Sequence, residues 1–122
     1  MGKPSILIVD DEEHLRSALG RWFDAQGFDV DYAPNGREAV TKCELFGYDV
    51  ITMDLHMPVM GGGEAVTAIR ELRPQVPIVV LTGFPSEGGA AVREQVDRVL
   101  TKPIRLSELS RNVQEVMAQQ PC

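Results

Sequence analysis

Five polar side chains follow apolar runs at positions where they could do chemistry together. Asp10 and Asp11 follow Ile6-Leu7-Ile8-Val9, Asp54 follows Val50 to Met53, Thr82 follows Pro77 to Leu81, and Lys102 follows Arg98 to Thr101. A carboxylate can attack phosphorus to give an acyl phosphate. That reaction needs positive charge to offset the acids and a cation to hold the incoming phosphoryl oxygens. Three carboxylates in one pocket repel one another, and a hard divalent ion with oxygen ligands is the natural partner, so Mg²⁺ is the expected cofactor. Lys102 supplies a second positive charge and Thr82 a hydroxyl donor. Together they suffice for phosphoryl transfer to Asp54, provided the chain brings them to one place.

Taken singly, each feature has a plainer reading. An Asp pair opening a helix is often only a cap with favourable dipole placement, and Thr-Gly or Lys-Pro after a strand is common turn chemistry. The elements around them decide. Ser5 to Val9 is a short, β-branched apolar run of the kind buried on both faces of a parallel sheet. Leu15, Ala18, Leu19, Trp22 and Phe23 recur at helical spacing until Gly27. Phe28, Val30 and Tyr32 alternate with acids, as in a half-polar strand at a sheet edge. Ala39, Val40, Cys43 and Phe46 mark a second helix. Asp49 to Met53 makes a third strand, Pro58 and glycines 61 to 63 a loop, and Val66, Ile69 and Leu72 the inward face of a third helix. Pro77 to Leu81 is a fourth strand. The glycine-rich stretch Gly83 to Gly89 predicts a short, mobile fourth helix. Arg98 to Thr101 is the fifth strand, and Leu106, Leu109, Val113, Val116 and Met117 form the last helix. Strand then helix, five times over, implies a single doubly wound α/β domain with a parallel five-stranded sheet. Ligands of such sheets bind beyond the carboxyl ends of the strands, which is where all five polar residues fall.

The totals bound the reading. One domain over residues 1–122 is expected, with 43% hydrophobic residues and enough apolar material for a core without disulfides. A net charge of −6 repels phosphate backbones, so direct nucleic-acid binding is not expected. No apolar run approaches the roughly 20 residues of a membrane span. Met1 to Pro4 shows no signal-peptide layout, and Cys43 and Cys122 lack metal-type spacing partners, so both read as free thiols in a reducing compartment. A cytoplasmic protein without membrane insertion is the expectation, with residues 119–122 a frayed tail.

The motifs Ile-Leu-Ile-Val-Asp-Asp-Glu (6–12), Asn-Gly-Arg-Glu-Ala-Val (35–40), Asp-Val-Ile-Thr-Met-Asp-Leu-His-Met-Pro (49–58), Pro-Ile-Val-Val-Leu-Thr-Gly (77–83) and Leu-Thr-Lys-Pro (100–103) cover essentially the whole chain. In this order they resemble a response-regulator receiver domain of two-component signalling. The resemblance implies a flavodoxin-like (βα)5 fold with strand order 2-1-3-4-5. It implies that Asp54 accepts a phosphoryl group from a sensor histidine kinase, a phosphotransfer protein or a small acyl phosphate, and that a downstream effector protein or domain reads the result. By the same resemblance Asp11 binds Mg²⁺ directly and Asp10 mainly through a metal-bound water. Asp54 and the backbone carbonyl of His56 complete the protein ligands. Thr82 bonds the phosphoryl group, Lys102 pairs with it across a cis bond before Pro103, and Gly83 leaves space for entry. Such a protein is a switch rather than an enzyme with an external substrate.

Some positions depart from that pattern. Val99 stands three before the lysine, where the family often has Tyr or Phe; Gln95-Val96 replaces the usual Gly-Ala; and the interval from Thr82 to Lys102 is slightly short. The run from Val96 to Pro103 is similar to receivers attached to sensor kinases. His56 and Phe84, each two residues past a site residue, could flank the path of attacking water. Three rivals remain at this stage. An aspartyl-phosphate phosphatase would carry an acid where His56 stands. A flavodoxin-like cofactor module would not place Asp-Asp-Glu-Glu at its phosphate loop. A pseudo-receiver would bind partners without phosphorylation.

Overall fold

The computed structural model describes residues 2–57, 59–84 and 89–119. The expectations for Pro58, for residues 85–88 of the glycine-rich segment, and for the tail with Cys122 lie outside the described residues. The elements run β1 (Ser5–Val9), α1 (Glu13–Ala25), β2 (Asp29–Ala33), α2 (Gly36–Leu45), β3 (Val50–Asp54), α3 (Gly62–Leu72), β4 (Ile78–Thr82), α4 (Gly89–Gln95), β5 (Arg98–Thr101) and α5 (Leu106–Ala118). All strand pairs are parallel, in the order β2-β1-β3-β4-β5. This is the expected doubly wound, flavodoxin-like sheet.

Side chains alternate across each strand, so the two faces of the sheet build two cores. Leu7, Val9, Ile51, Met53, Ile78 and Val80 point to the face covered by Ala39, Cys43, Val66, Ile69 and Val92. Ile6, Ile8, Val50, Val79 and Leu81 point to the other, against Leu19 and Phe23 of α1 and Leu109, Val113 and Val116 of α5. Phe23 meets Phe28 edge to face, with ring centroids 5.3 Å apart. Gly27, at φ 95°, adopts the left-handed conformation that ends α1. Burial pushes the Cys43 thiol up to about 11, so it packs as an inert apolar group. Among the described residues no helix is long and apolar enough to cross a membrane.

Five local expectations shift. β3 runs from Val50 through Asp54, one residue later than the sequence suggested, because Asp54 still pairs in register with Leu81 of β4. Asp49 instead accepts from the backbone N–H of Ser5 at 2.7 Å, tying the starts of β1 and β3. β4 likewise includes Thr82, paired in register with Thr101. Leu72 does not face the core: it closes α3 at 41% exposed, bordering an open hollow with Tyr48 and Arg73. Phe46 lies one residue past α2 in extended backbone, which takes its ring off the helical stripe and leaves it 55% exposed. α3 starts inside the triple glycine, at Gly62.

Two polar clamps fix the sheet away from the chemical edge. At the β2 edge, the Asp31 carboxylate accepts from Lys42 Nζ and Tyr48 Oη, both at 2.6 Å. Burial pushes the Asp31 carboxyl up, but the bonds from Lys42, Tyr48 and the Tyr32 N–H outweigh it and hold it below its ordinary value. At the other end, Arg70 of α3 donates to the carbonyls of Gln95 (2.7 Å from Nη2), Val76 (2.7 Å) and Pro74 (3.0 Å), joining α3, the entry to β4 and the last residue of α4. Arg70→Met leaves these acceptors without their charged donor and is expected to cost about 2–3 kcal/mol of stability; urea unfolding with an unchanged midpoint would refute that role.

Candidate functional site

The chemical edge lies where β1, β3, β4 and β5 end. β1 hands over to Asp10, whose N–H still donates to the Ala33 carbonyl at 3.1 Å, so the ladder with β2 carries one residue further. The Asp10 carboxylate accepts from the Glu12 N–H at 2.9 Å, closing the turn into α1. Asp54, the last residue of β3, accepts from the His56 N–H at 3.2 Å. Asp10 and Asp54 are buried, at 1% and 6% exposed, while Asp11 faces water. One carboxylate oxygen from each of the three lies within 4.8 Å of the others.

Lys102 reaches this cluster from the far side of the sheet, just past β5. Its Nζ stands 3.4 Å from Asp10 Oδ2 and 3.6 Å from Asp54 Oδ2. Its N–H donates to the Thr82 carbonyl at 2.8 Å, and the Lys102–Pro103 bond is cis. Lys102 shares an apolar hollow with Leu15, Leu81, Ile104 and Leu106, so its stem lies among hydrocarbon while the ammonium stretches to the acids.

Asp54 is held above its ordinary carboxyl range. Desolvation is the main cause, and the negative charges of Asp10 and Asp11 add to it; the His56 N–H and Lys102 pull the other way. Three carboxylates and one nearby ammonium leave an excess of negative charge and a set of hard oxygen donors. That donor chemistry fits a small divalent cation.

Thr82 is fully buried at the end of β4. Its hydroxyl accepts from the Phe84 N–H at 3.0 Å and donates to the Phe84 carbonyl at 3.2 Å, folding the chain into a tight turn past the strand. Gly83 is exposed in that turn. The His56 and Phe84 rings sit 6.4 Å apart, centroid to centroid, linking the β3 and β4 loops, and Phe84 is 64% exposed. Val99 is half-buried against the α3–α4 core.

Two contributors had no role in the sequence reading. Gly62 packs directly under the loop that follows Asp54: its N–H donates to the Leu55 carbonyl, and a Cβ there would lie 2.5 Å from the Asp54 carbonyl oxygen. Only glycine permits this approach; the sequence signal was one glycine among three. Arg16, in the first turn of α1, donates from Nη1 to the Asp10 carbonyl at 2.7 Å. Its signal was a cation five residues past Asp11, at a helix start otherwise acidic.

Residues 6–114 match the family model described as the response regulator receiver domain. The chain is 33% identical over 119 residues to the transcriptional regulatory protein PrrA of Mycobacterium leprae, covering 96% of this chain and 51% of PrrA. It is 38% identical over 107 residues to the autoinducer 1 sensor kinase/phosphatase LuxN of Vibrio campbellii, covering 87% of this chain and 13% of LuxN. The chain thus spans about half the length of one curated relative and a small part of the other. The structure of response regulator protein TrrA from Thermotoga maritima, in complex with Mg(2+)-BeF, superposes with a TM-score of 0.86 at 29% identity, covering 93% of this chain and 98% of that one. A doubly wound sheet with an acidic cluster and a lysine at its carboxyl edge, carrying the family's motifs along most of its length, defines a signalling module of two-component systems. The chain belongs to the response regulator receiver domain family.

The raised Asp54 pKa fixes a sign. The folded state favours the neutral carboxyl more than the unfolded chain does, so this group's contribution to stability is fully present below the ordinary carboxyl pKa of 3.8 and is lost as pH rises through the higher folded-state value. Asp54→Asn is therefore expected to raise the Tm at neutral pH, with the advantage shrinking as pH falls toward the carboxyl range. Equal melting curves at pH 7 would remove the repulsion argument.

Proposed function

We propose that this chain is a phosphoryl-accepting switch in which Asp54 receives the phosphoryl group in the presence of Mg²⁺. The reading rests on one observation: oxygens of Asp10, Asp11 and Asp54 converge within 4.8 Å, with the Lys102 ammonium 3.4 Å from Asp10 and 3.6 Å from Asp54. Asp10, Asp11, Asp54 and the backbone carbonyl of His56 would hold the ion. When bound, Mg²⁺ offsets the carboxylate charge and polarises a phosphoryl group. Asp54 supplies the attacking carboxylate oxygen, forming a P–O bond as the donor's P–N bond (phosphohistidine) or P–O bond (acyl phosphate) breaks and the imidazole or carboxylate leaves with its electron pair. Lys102 holds the charge that arrives on the transferred group. The donor is a sensor histidine kinase, a phosphotransfer protein or a small acyl phosphate. Residues 1–122 act as one receiver module in the cytoplasm, facing a downstream effector protein or domain.

The transferred group adds roughly −1.5 to −2 charge and three acceptor oxygens. Thr82 then exchanges its local bonds with Phe84 for one to the phosphoryl group, and the backbone past β4 follows. α4, the next helix along the chain, buries only Val92 and ends on the Arg70 clamp. With Val99 half-buried against the core in place of a large ring, the change reaches partners through this backbone shift. Nothing in the acceptor cluster favours a phosphorylation-independent pseudo-receiver.

Labelling with a radioactive acyl phosphate tests the assignment. Wild type with Mg²⁺ is expected to incorporate label; Asp54→Asn, or chelation of the metal, is expected to reduce it to background. Label retained by Asp54→Asn would move the acceptor elsewhere.

The His56–Phe84 pair is assigned a timing role, limiting water at the phosphoryl group. His56→Asn and Phe84→Ala are each expected to shorten the label's half-life several-fold without altering the amount first incorporated. Unchanged decay in both variants would leave the pair without that role.

A further inference from the structure

Arg16 occupies an electrostatically poor position. It lies in the first turn of α1, where the helix dipole presents partial positive charge and disfavours a cation. Side chains in a helix lean back toward its N-terminus, and Arg16 follows that direction to place Nη1 2.7 Å from the Asp10 carbonyl oxygen. That carbonyl belongs to the first residue past β1, whose N–H still bonds Ala33 of β2 while its oxygen is taken by Arg16. We infer that Arg16 is a positioning residue for the cation site, fixing the Asp10–Asp11 peptide so that Asp11 projects toward Asp54.

Four bonds converge on Asp10: one from its N–H, two to its carboxylate from the Glu12 N–H and Lys102 Nζ, and one to its carbonyl from Arg16. The Asp10 N–H is held by the Ala33 carbonyl, and its carboxylate by the Glu12 N–H. These two set where Asp10 sits and how its side chain points. The Glu12 bond closes a ring through the Asp10–Asp11 peptide and limits its rotation from the side-chain side, and Arg16 grips the oxygen of that same peptide. Asp11 is exposed, so no surrounding core fixes its direction, and its carboxylate follows its backbone. Arg16 itself is half-buried, and its own N–H makes the first helical bond to the Glu12 carbonyl at 2.9 Å. The guanidinium is thereby anchored to the same helix start that it braces. Asp54 and Lys102 are placed by β3 and β5, so loss of Arg16 leaves them in position.

This inference rests on the reading of Asp10, Asp11 and Asp54 as a Mg²⁺ site. Calorimetric titration of the unphosphorylated protein with MgCl₂ at fixed ionic strength tests it directly, with Tm measured alongside. Arg16→Met is expected to weaken Mg²⁺ binding about tenfold, the scale for removing a partner that orients a metal ligand. Arg16→Lys, which keeps a donor, is expected to recover part of the loss. Arg21→Met, which removes one exposed positive charge from the same helix, is expected to bind Mg²⁺ as wild type does. Arg16→Gln takes the place of the Met variant should the latter not fold. Wild-type affinity in Arg16→Met, or an equal loss in Arg21→Met, overturns the inference while the cation site stands. Absence of Mg²⁺ binding by wild type overturns the cation-site reading and this inference with it.

Discussion

Asp10, Asp11 and Asp54 bring carboxylate oxygens within 4.8 Å of one another, and among the described residues Lys102 is the ammonium that meets them. Two unit charges 4 Å apart interact by about 4 kcal/mol at an effective dielectric constant near 20, against about 1 kcal/mol in water. Two of the three acids are buried, so their repulsion is not fully screened. The cluster therefore persists only because the backbone around it is over-determined. Asp10 is held by its amide, its carboxylate and its carbonyl; Asp54 is the paired end of a central strand; Gly62 lets α3 close against the loop after Asp54.

That constraint explains the distribution of rigidity. The β2 edge is clamped by Asp31, Lys42 and Tyr48, and the amino end of the sheet near β4 by Arg70. α1 and α5 cover one face with Leu19, Phe23, Leu109, Val113 and Val116. α4 is the exception, a seven-residue helix with one buried side chain. The frame around Asp54 is thus held at several points, while α4 contributes one buried side chain. Such a contrast is what a two-state element requires, since a packed core does not deform continuously.

Much of the fold was legible because strand and helix periods are local properties. The runs at 5–9 and 98–101 match their strands residue for residue, and the alternation of elements gave a parallel sheet. Boundaries moved where tertiary pairing extended a strand, as at Asp54 and Thr82, or where a helix ended before its apolar pattern did, as at Phe46, and the last residue of α3, Leu72, turned to the surface. Periodicity does not register either effect, because hydrogen bonds to a neighbouring strand and the point at which a helix leaves the core depend on distant residues.

By itself the sequence determined which side chains stand at strand ends: three acids, a threonine and a lysine, in an order that fixed the family and the class of chemistry. The tertiary structure alone decided how they meet. It turned the Lys102 head onto Asp10 and Asp54, left the Thr82 hydroxyl bonded to Phe84, and brought Arg16 onto the Asp10 carbonyl. Those facts depend on backbone carbonyls and side-chain directions, which carry no residue-type signature; they exist only once separate strands are aligned in register.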